Sequence, residues 1–320
     1  MQRWELMSQD SVSSIRVGWV GTGRMGAAMA TRLAKAGVDL QVWNRTRSKA
    51  EPLAEHGAAV VDSIADLAAC DVVFTMVSSD KDLEQVLTGE GGLLTQAGAP
   101  TIVVDTSTVS SETSAAMREA CAAAGTEFLA SPVSGNGKVV GSGKLTLVCS
   151  GKEEVFDRVH PLLDHIGKHS TYVGEGEVAR LVKICHNLML GVVTQSMAEI
   201  TVLAEKGGVP RAAFLEFLNN SVMGSIFTRY KTPAFVNLDY TPTFTPLLLR
   251  KDFDLGLAAA HDLDVPMPVS ALTASLVQGT VSSGRTSEDF AILLDQQAAL
   301  SGVELKPEDT PVDDGLEPRT

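Results

Sequence analysis

An apolar run at residues 15–20 leads without a break into Gly21-Thr22-Gly23-Arg24-Met25-Gly26, after which Met25, Met29, Leu33 and Ala36 recur at helical spacing. Strand, glycine turn and helix in that order constrain the chain more than any other feature, because they are the setting a dinucleotide-binding turn needs. Gly21 allows the tight turn, the missing Cβ at Gly23 lets the backbone approach a pyrophosphate, and Gly26 lets the helix pack closely on the sheet. The phosphates then face a helix N-terminus, where N–H groups and the macrodipole favour negative charge. A glycine-rich turn of some other α/β protein is the competing reading of the same residues.

The pattern after that turn alternates. Short apolar runs at 38–43, 71–77, 101–105, 127–130, 145–149 and 170–173 read as strands, and helical stretches such as 49–56, 80–87 and 110–124 lie between them, the last with Ser110 as N-cap. Repetition of this kind predicts a mainly parallel, doubly wound sheet, a Rossmann-type α/β domain over 15–175. The segment 177–206 then has no proline and one internal glycine, Gly191, with apolar residues at helical spacing. It predicts one long helix bridging two domains. The stretches at 211–218, 251–261, 269–278 and 289–297 also read helical, so 176–302 is expected to be an all-α domain for substrate and dimer contacts. Residues 1–14, and 303–320 with their Pro, Glu, Asp and Gly, are expected to be disordered.

Composition narrows the functional class. The 320 residues carry a formal charge of -13, which argues against general nucleic-acid or membrane-surface binding. No apolar run approaches the length of about 20 residues that a membrane helix requires, and the polar N-terminus lacks the apolar core of a signal peptide. Cys70, Cys121, Cys149 and Cys185 have no metal-ligand spacing and read as reduced thiols of a cytoplasmic protein. No metal site is expected.

Three stretches bear on the chemistry. At the tip of the second strand stand Asn44, Arg45, Thr46 and Arg47, with no carboxylate there to take a ribose 2′-hydroxyl. A guanidinium suits a 2′-phosphate instead, so NADP is expected over NAD, the bland reading being two solvated arginines. Val77 and Ser78, where the third strand ends, are also expected to contact the cofactor. The second stretch, 131–137, is dense in Ser and Gly. It reads either as a backbone nest for a carboxylate or as an ordinary connection. The third lies on the long helix. Lys183 and Asn187 are four apart and share a face that is otherwise mostly apolar. Burial lowers a lysine's pKa and fits it for proton transfer near neutrality; snorkelling to solvent or pairing with an acid are the alternatives. His186, three residues on, lies about 60° round the helix from Lys183 by the same helical geometry.

Taken together, these motifs make the chain resemble the β-hydroxyacid dehydrogenase family, which includes 3-hydroxyisobutyrate dehydrogenase, tartronate semialdehyde reductase and related succinic semialdehyde reductases. The matching residues are 21–26 with Met29 and Ala30, then 44–46, 105–109 and 132–135, Lys183 to Asn187, and Lys251-Asp252 with Leu255. The resemblance implies hydride transfer between a nicotinamide and a small 3-hydroxy acid or semialdehyde acid, in a cleft floored by the long helix. It implies Lys183 as general acid/base, Asn187 as its orienting partner, Ser134 and Gly135 at the substrate carboxylate, and Thr108 near the nicotinamide ribose. It also implies that Lys251, supported by Asp252, closes over cofactor and substrate, and that the α domain forms a homodimer. Two positions depart from the pattern. Asn136 stands where the family usually has a second glycine and is expected to add a polar side chain beside the substrate carboxylate, and Glu177 and Ala179 stand where a Gly-x-Gly often precedes the lysine. An imine reductase of the same fold is the nearest rival, against which Lys183 counts. A non-catalytic NADP-binding module is a second, against which Lys183, Asn187 and Lys251 together count.

Overall fold

The computed structural model describes residues 15–96 and 98–316. The expectation for 1–14, and that for 317–320, lie outside the described residues. The chain divides after Lys183 into two compact units.

In the first unit, β1 (Arg16–Val20), β2 (Asp39–Trp43), β3 (Ala59–Val60), β4 (Val72–Thr75), β5 (Ile102–Asp105) and β6 (Glu127–Ala130) form one sheet. Its order is β3-β2-β1-β4-β5-β6, parallel throughout, as the doubly wound reading requires. The helices are α1 (Arg24–Lys35), α2 (Asp80–Leu87), α3 (Ser111–Ala123), a short α4 (Gly137–Gly141) and α5 (Glu153–Ile166). Side chains alternate between the two faces of the sheet. Val17, Val72, Phe74, Ile102 and Val104 join one core with Leu33 of α1 and Leu162 of α5. Val20, Val73 and Val103 join another with Leu83 of α2 and Met117 of α3. Each such side chain contributes about 1.5–3 kcal/mol by leaving water. Ser79 and Ser110 cap α2 and α3 by accepting from Asp82 N and Thr113 N.

Three details differ from the sequence reading. The later strands do not extend the main sheet. Instead β7 (Val133–Ser134), β8 (Thr146–Cys149) and β9 (His169–Tyr172) make a separate sheet in which β7 and β8 run antiparallel. Pro132 has no N–H to continue β6 and turns the chain away there. The helix expected at 49–56 is two 3₁₀ turns, Arg47–Lys49 and Glu51–His56, with Pro52 opening the second. The two-residue strands β3 and β7 are too short to show an alternation.

The long helix is α6 (Val178–Lys206). Its buried positions recur along one stripe: Ala179, Arg180, Lys183, Ile184, Asn187, Leu188 and Gly191. An 18-residue window of α6 is apolar enough to cross a membrane by length and composition, contrary to the sequence expectation. Half of that window is buried, as in a core helix. The second unit continues with α7 (Arg211–Asn220), α8 (Ile226–Asn237), α9 (Pro246–Asp262), α10 (Pro268–Ser282) and α11 (Leu293–Leu300), with no strand among its described residues. A Cβ at Gly191 would lie 2.6 Å from Phe253 Cε2, and one at Gly256 2.4 Å from Leu188 Cδ1. The α6 and α9 backbones therefore approach closely, each seating its large side chain over the other's glycine. The sequence reading missed α8, whose apolar pattern is weak and whose interior holds Pro233. Its one local signal was the capping box of Ser225 and Thr228.

The stretch 303–316, expected to be disordered, is instead fastened to the second unit. Val303, Leu305 and Val312 pack on its core. Glu308 accepts from Arg211 N at 2.7 Å and Ala212 N at 3.0 Å, and Thr310 N donates to Asn237 Oδ1 at 3.2 Å. Composition read the acids as solvated, whereas one of them supplies the cap that Pro210 leaves α7 without.

Candidate active site

The glycine turn has the geometry its sequence predicts. Gly21 sits at φ +94°, where a Cβ would lie 2.2 Å from the Met76 carbonyl oxygen. A Cβ at Gly26 would lie 2.0 Å from the Gly21 oxygen, whereas one at Gly23 would meet nothing within 4 Å. Gly23 is the N-cap of α1; no side chain caps that helix and no acid stands in its first turn. The turn thus offers an anion an approach to backbone N–H groups without a competing carboxylate, and these residues fit a dinucleotide pyrophosphate.

The loop after β2 is braced to this turn. Thr22 N donates to Asn44 Oδ1 at 2.9 Å, and Asn44 Nδ2 donates to the Thr46 carbonyl at 2.9 Å. Asn44 therefore shapes the loop. Both arginines have carboxylate partners: Arg45 pairs with Asp82 at 3.3 Å, Arg47 with Asp62 at 2.5 Å. Beyond β4, Val77 N donates to Ser107 Oγ at 2.9 Å, and Ser78 is exposed one residue before the α2 cap. Thr108 is half-buried in the loop after β5.

The stretch 131–137 is not a plain loop. Ser134 closes β7 and is half-buried. Gly135 has φ +139°, and a Cβ there would lie 2.8 Å from Val139 Cγ1, so glycine is required. Asn136 is the N-cap of α4, its Oδ1 accepting from Val139 N at 3.1 Å, and it is 8% exposed. The departure at Asn136 thus has a local cause: its carbonyl oxygen starts a helix.

On α6, Lys183 is 9% exposed and Asn187 3% exposed, one turn apart on the buried stripe. Asn187 Nδ2 donates to Asp252 Oδ2 at 2.5 Å, and its Oδ1 lies 2.9 Å from His186 Nδ1. Asp252, expected to support Lys251, holds the asparagine. Lys251 itself is half-buried on α9. Arg180, which the sequence reading passed over, is buried three residues before Lys183 against Asp105. Polar residues at 180, 183 and 187 along an otherwise apolar stripe were the signal for it. Among the described residues, no group of three or more His, Cys, Asp or Glu could hold a metal ion. Burial pushes the thiols of Cys70 and Cys149 up to about 11 and that of Cys121 to about 12, whereas Cys185 is exposed.

Residues 16–174 match the family described as the NAD binding domain of 6-phosphogluconate dehydrogenase. Residues 174–296 match the family described as NAD-binding of NADP-dependent 3-hydroxyisobutyrate dehydrogenase. The chain is 33% identical over 282 residues to glyoxylate/succinic semialdehyde reductase 1 of Arabidopsis thaliana, covering 88% of this chain and 98% of that one. It belongs to the β-hydroxyacid dehydrogenase family. A second member, 2-(hydroxymethyl)glutarate dehydrogenase of Eubacterium barkeri, is 31% identical over 91% of this chain and 97% of its own length. The crystal structure of 3-hydroxyisobutyrate dehydrogenase from Salmonella typhimurium superposes with a TM-score of 0.79 at 25% identity, covering 88% of this chain and 99% of that one. This β-hydroxyacid dehydrogenase is accordingly an NAD(P)-dependent oxidoreductase.

Proposed function

We propose that the enzyme interconverts a small 3-hydroxy acid and its semialdehyde or keto acid, with NADP preferred over NAD and Lys183 as general acid/base. The observation that carries this reading is the placement of Lys183 and Asn187 on the buried stripe of α6. There the lysine is shielded from bulk water, and the Asp252 carboxylate holds the asparagine. When bound, the nicotinamide supplies or accepts the hydride. In the reductive direction the Lys183 ammonium donates its proton to the carbonyl oxygen; in the oxidative direction its neutral amine removes the hydroxyl proton. Asn187 orients lysine and substrate oxygen. Ser134 and the Gly135 backbone hold the carboxylate, and Lys251 serves the cofactor.

The cofactor preference rests on Arg45 and Arg47. Each is held by a carboxylate that a 2′-phosphate can displace, and the loop tip carries no acid of its own. We also assign the helical unit to a homodimer. Met189, Leu203, Phe217 and Leu272 are each at least 66% exposed, apolar side chains that a second copy of the chain would cover. Sedimentation should give twice the chain mass, and a monomer at micromolar concentration would remove that assignment.

The deciding experiment is NADPH oxidation across short semialdehydes, keto acids and cyclic imines, with Lys183→Ala in parallel. Turnover of an acid that falls by about 10²-fold or more in the variant, with NADPH binding retained, supports the reading. Turnover of imines alone, or an unimpaired variant, sinks it.

A further inference from the structure

Arg180 lies on α6 one turn before Lys183 and is 2% exposed. Its guanidinium reaches in three directions: Nε donates to Ser114 Oγ at 3.0 Å, Nη1 to the Ser107 carbonyl at 2.5 Å, and Nη2 to Asp105 Oδ2 at 2.5 Å. Asp105 ends β5 and is wholly buried. Its Oδ1 accepts from Thr75 Oγ1 at 2.6 Å, from Ser107 Oγ at 2.7 Å and from Ser107 N at 3.3 Å. One cation therefore ties the helix to the tip of β5, to α3 and to the loop that runs on to Thr108, and Asp105 carries the network on to β4.

The approach to the helix is held just as closely. Arg118 donates to Glu177 Oε1 at 2.7 Å and to the Gly176 carbonyl at 2.8 Å. Ser150 Oγ accepts from Ala179 N at 3.1 Å and donates to the same carbonyl at 2.8 Å. Glu177 and Ala179, at the start of the helix, are thus both held by hydrogen bonds. Apolar packing would hold the helix too, but without fixing its rotation. A planar fork with three acceptors sets both rotation and translation. Residues three apart share a helix face, so what fixes Arg180 fixes the root of the Lys183 side chain.

We propose that Arg180 is a positioning residue for the proton transfer, its ion pair with Asp105 holding Lys183 in register with the 105–108 loop. The proposal rests on Lys183 as general acid/base.

The test compares Arg180→Met, Arg180→Lys, Asp105→Asn, Lys183→Ala and the double variant Arg180→Met/Lys183→Ala. For each, kcat, KM and NADPH Kd are measured on the folded protein with the best substrate of the panel. Arg180→Met should lower kcat about 30–100-fold while KM and NADPH Kd move less than about 3-fold, since a misplacement near 1 Å suffices for such a loss. Arg180→Lys, which restores a cation opposite Asp105, should recover roughly 5–10-fold of it. The double variant should be no slower than Lys183→Ala alone, because Arg180 acts only through the lysine. An unchanged kcat in Arg180→Met, or losses that multiply fully in the double variant, would overturn the proposal. Should Arg180→Met fail to fold, Arg180→Lys and Asp105→Asn decide on the same split between kcat and KM, a normal kcat in both overturning it. Full activity of Lys183→Ala would bring down the general-acid reading and this one together. A dead Lys183→Ala beside a normal Arg180→Met would bring down this one alone.

Discussion

The first unit buries Arg180 against Asp105, and the second buries Lys231 against Asp289, both at 2.5 Å and both nearly inaccessible. The two pairs are wired differently. In the first, the cation spreads its donors over three segments and the carboxylate has its own set of hydroxyl donors. In the second, the carboxylate is the hub. Asp289 accepts from Lys231 Nζ, from Thr243 N at 2.9 Å and Oγ1 at 2.6 Å, and from Ala291 N at 3.0 Å. Lys231 adds a contact over the Phe290 ring at 4.1 Å and one hydrogen bond to Thr243. A distributed guanidinium sets geometry, whereas a hub carboxylate gathers a loop and is vulnerable at one point. Breaking the first pair should therefore show mainly in rate and breaking the second mainly in stability.

The largest stability effect should come from Asp289→Ala, which leaves the Lys231 cation buried without its counter-ion. A loss of about 3–5 kcal/mol is expected, read as a drop in the urea midpoint of the second unit. Replacing both members, Lys231→Met with Asp289→Leu, should recover most of it. If the double variant is as unstable as the single, the loop donors carry the stability and the charge pair does not.

The same pair gives a pH dependence. Burial pushes the Asp289 carboxyl up, but the Lys231 charge and the hydrogen bonds from Lys231, Thr243 and Ala291 outweigh it and hold the group below the usual carboxylate range. A carboxyl depressed in the fold stabilises fully above its unfolded pKa of about 3.9, and that stability is lost as pH falls through the lower folded value. Urea midpoints measured from pH 6 downward should decline in this window, with a shallower decline in Asp289→Asn. Identical slopes would separate Asp289 from the acid sensitivity.

Exposed arginines sharpen the contrast. Arg45 pairs with Asp82 at the surface, where such a pair contributes little to stability. Arg45→Asp should leave the unfolding midpoint in place yet move the NADPH/NADH ratio of kcat/KM by about 10-fold toward NADH. An unchanged ratio would take the 2′-phosphate away from Arg45.

The two units also differ in how much of them could be read beforehand. The first was legible because a parallel sheet writes itself as apolar runs of fixed length between glycines, and the glycine turn has one geometry that its sequence can satisfy. Lys183 and Asn187 were visible as polar residues on an apolar helical face. Arg180 escaped because its partner, Asp105, is distant in sequence and only the fold brings them together. Asn136 was expected to face substrate, yet its oxygen is used by α4, a helix too short to show a period. In the second unit α8 was missed for its proline and weak pattern. The tail was misread because acidic, proline-containing sequence is usually solvated, and nothing local says that one glutamate meets a helix start.

That glutamate gives the smallest effect. The first N–H groups of α7 lack partners within the helix, and Pro210 at the N-cap has no side-chain acceptor. Glu308 fills the gap from the far end of the chain with both carboxylate oxygens, at a helix end whose dipole favours negative charge. Its loss resembles the loss of an ordinary cap, so Glu308→Ala should lower the stability of the helical unit by about 1 kcal/mol. Glu308→Gln should lower it less, since an amide oxygen still accepts from one N–H. The sharper reading is local. Amide exchange at Arg211 and Ala212 should quicken in Glu308→Ala before the α6 amides respond, and cleavage within 303–316 by a nonspecific protease should speed up. If α6 and α7 quicken together, the stretch 303–316 is part of the cooperative core of the helical unit rather than a strap laid over it.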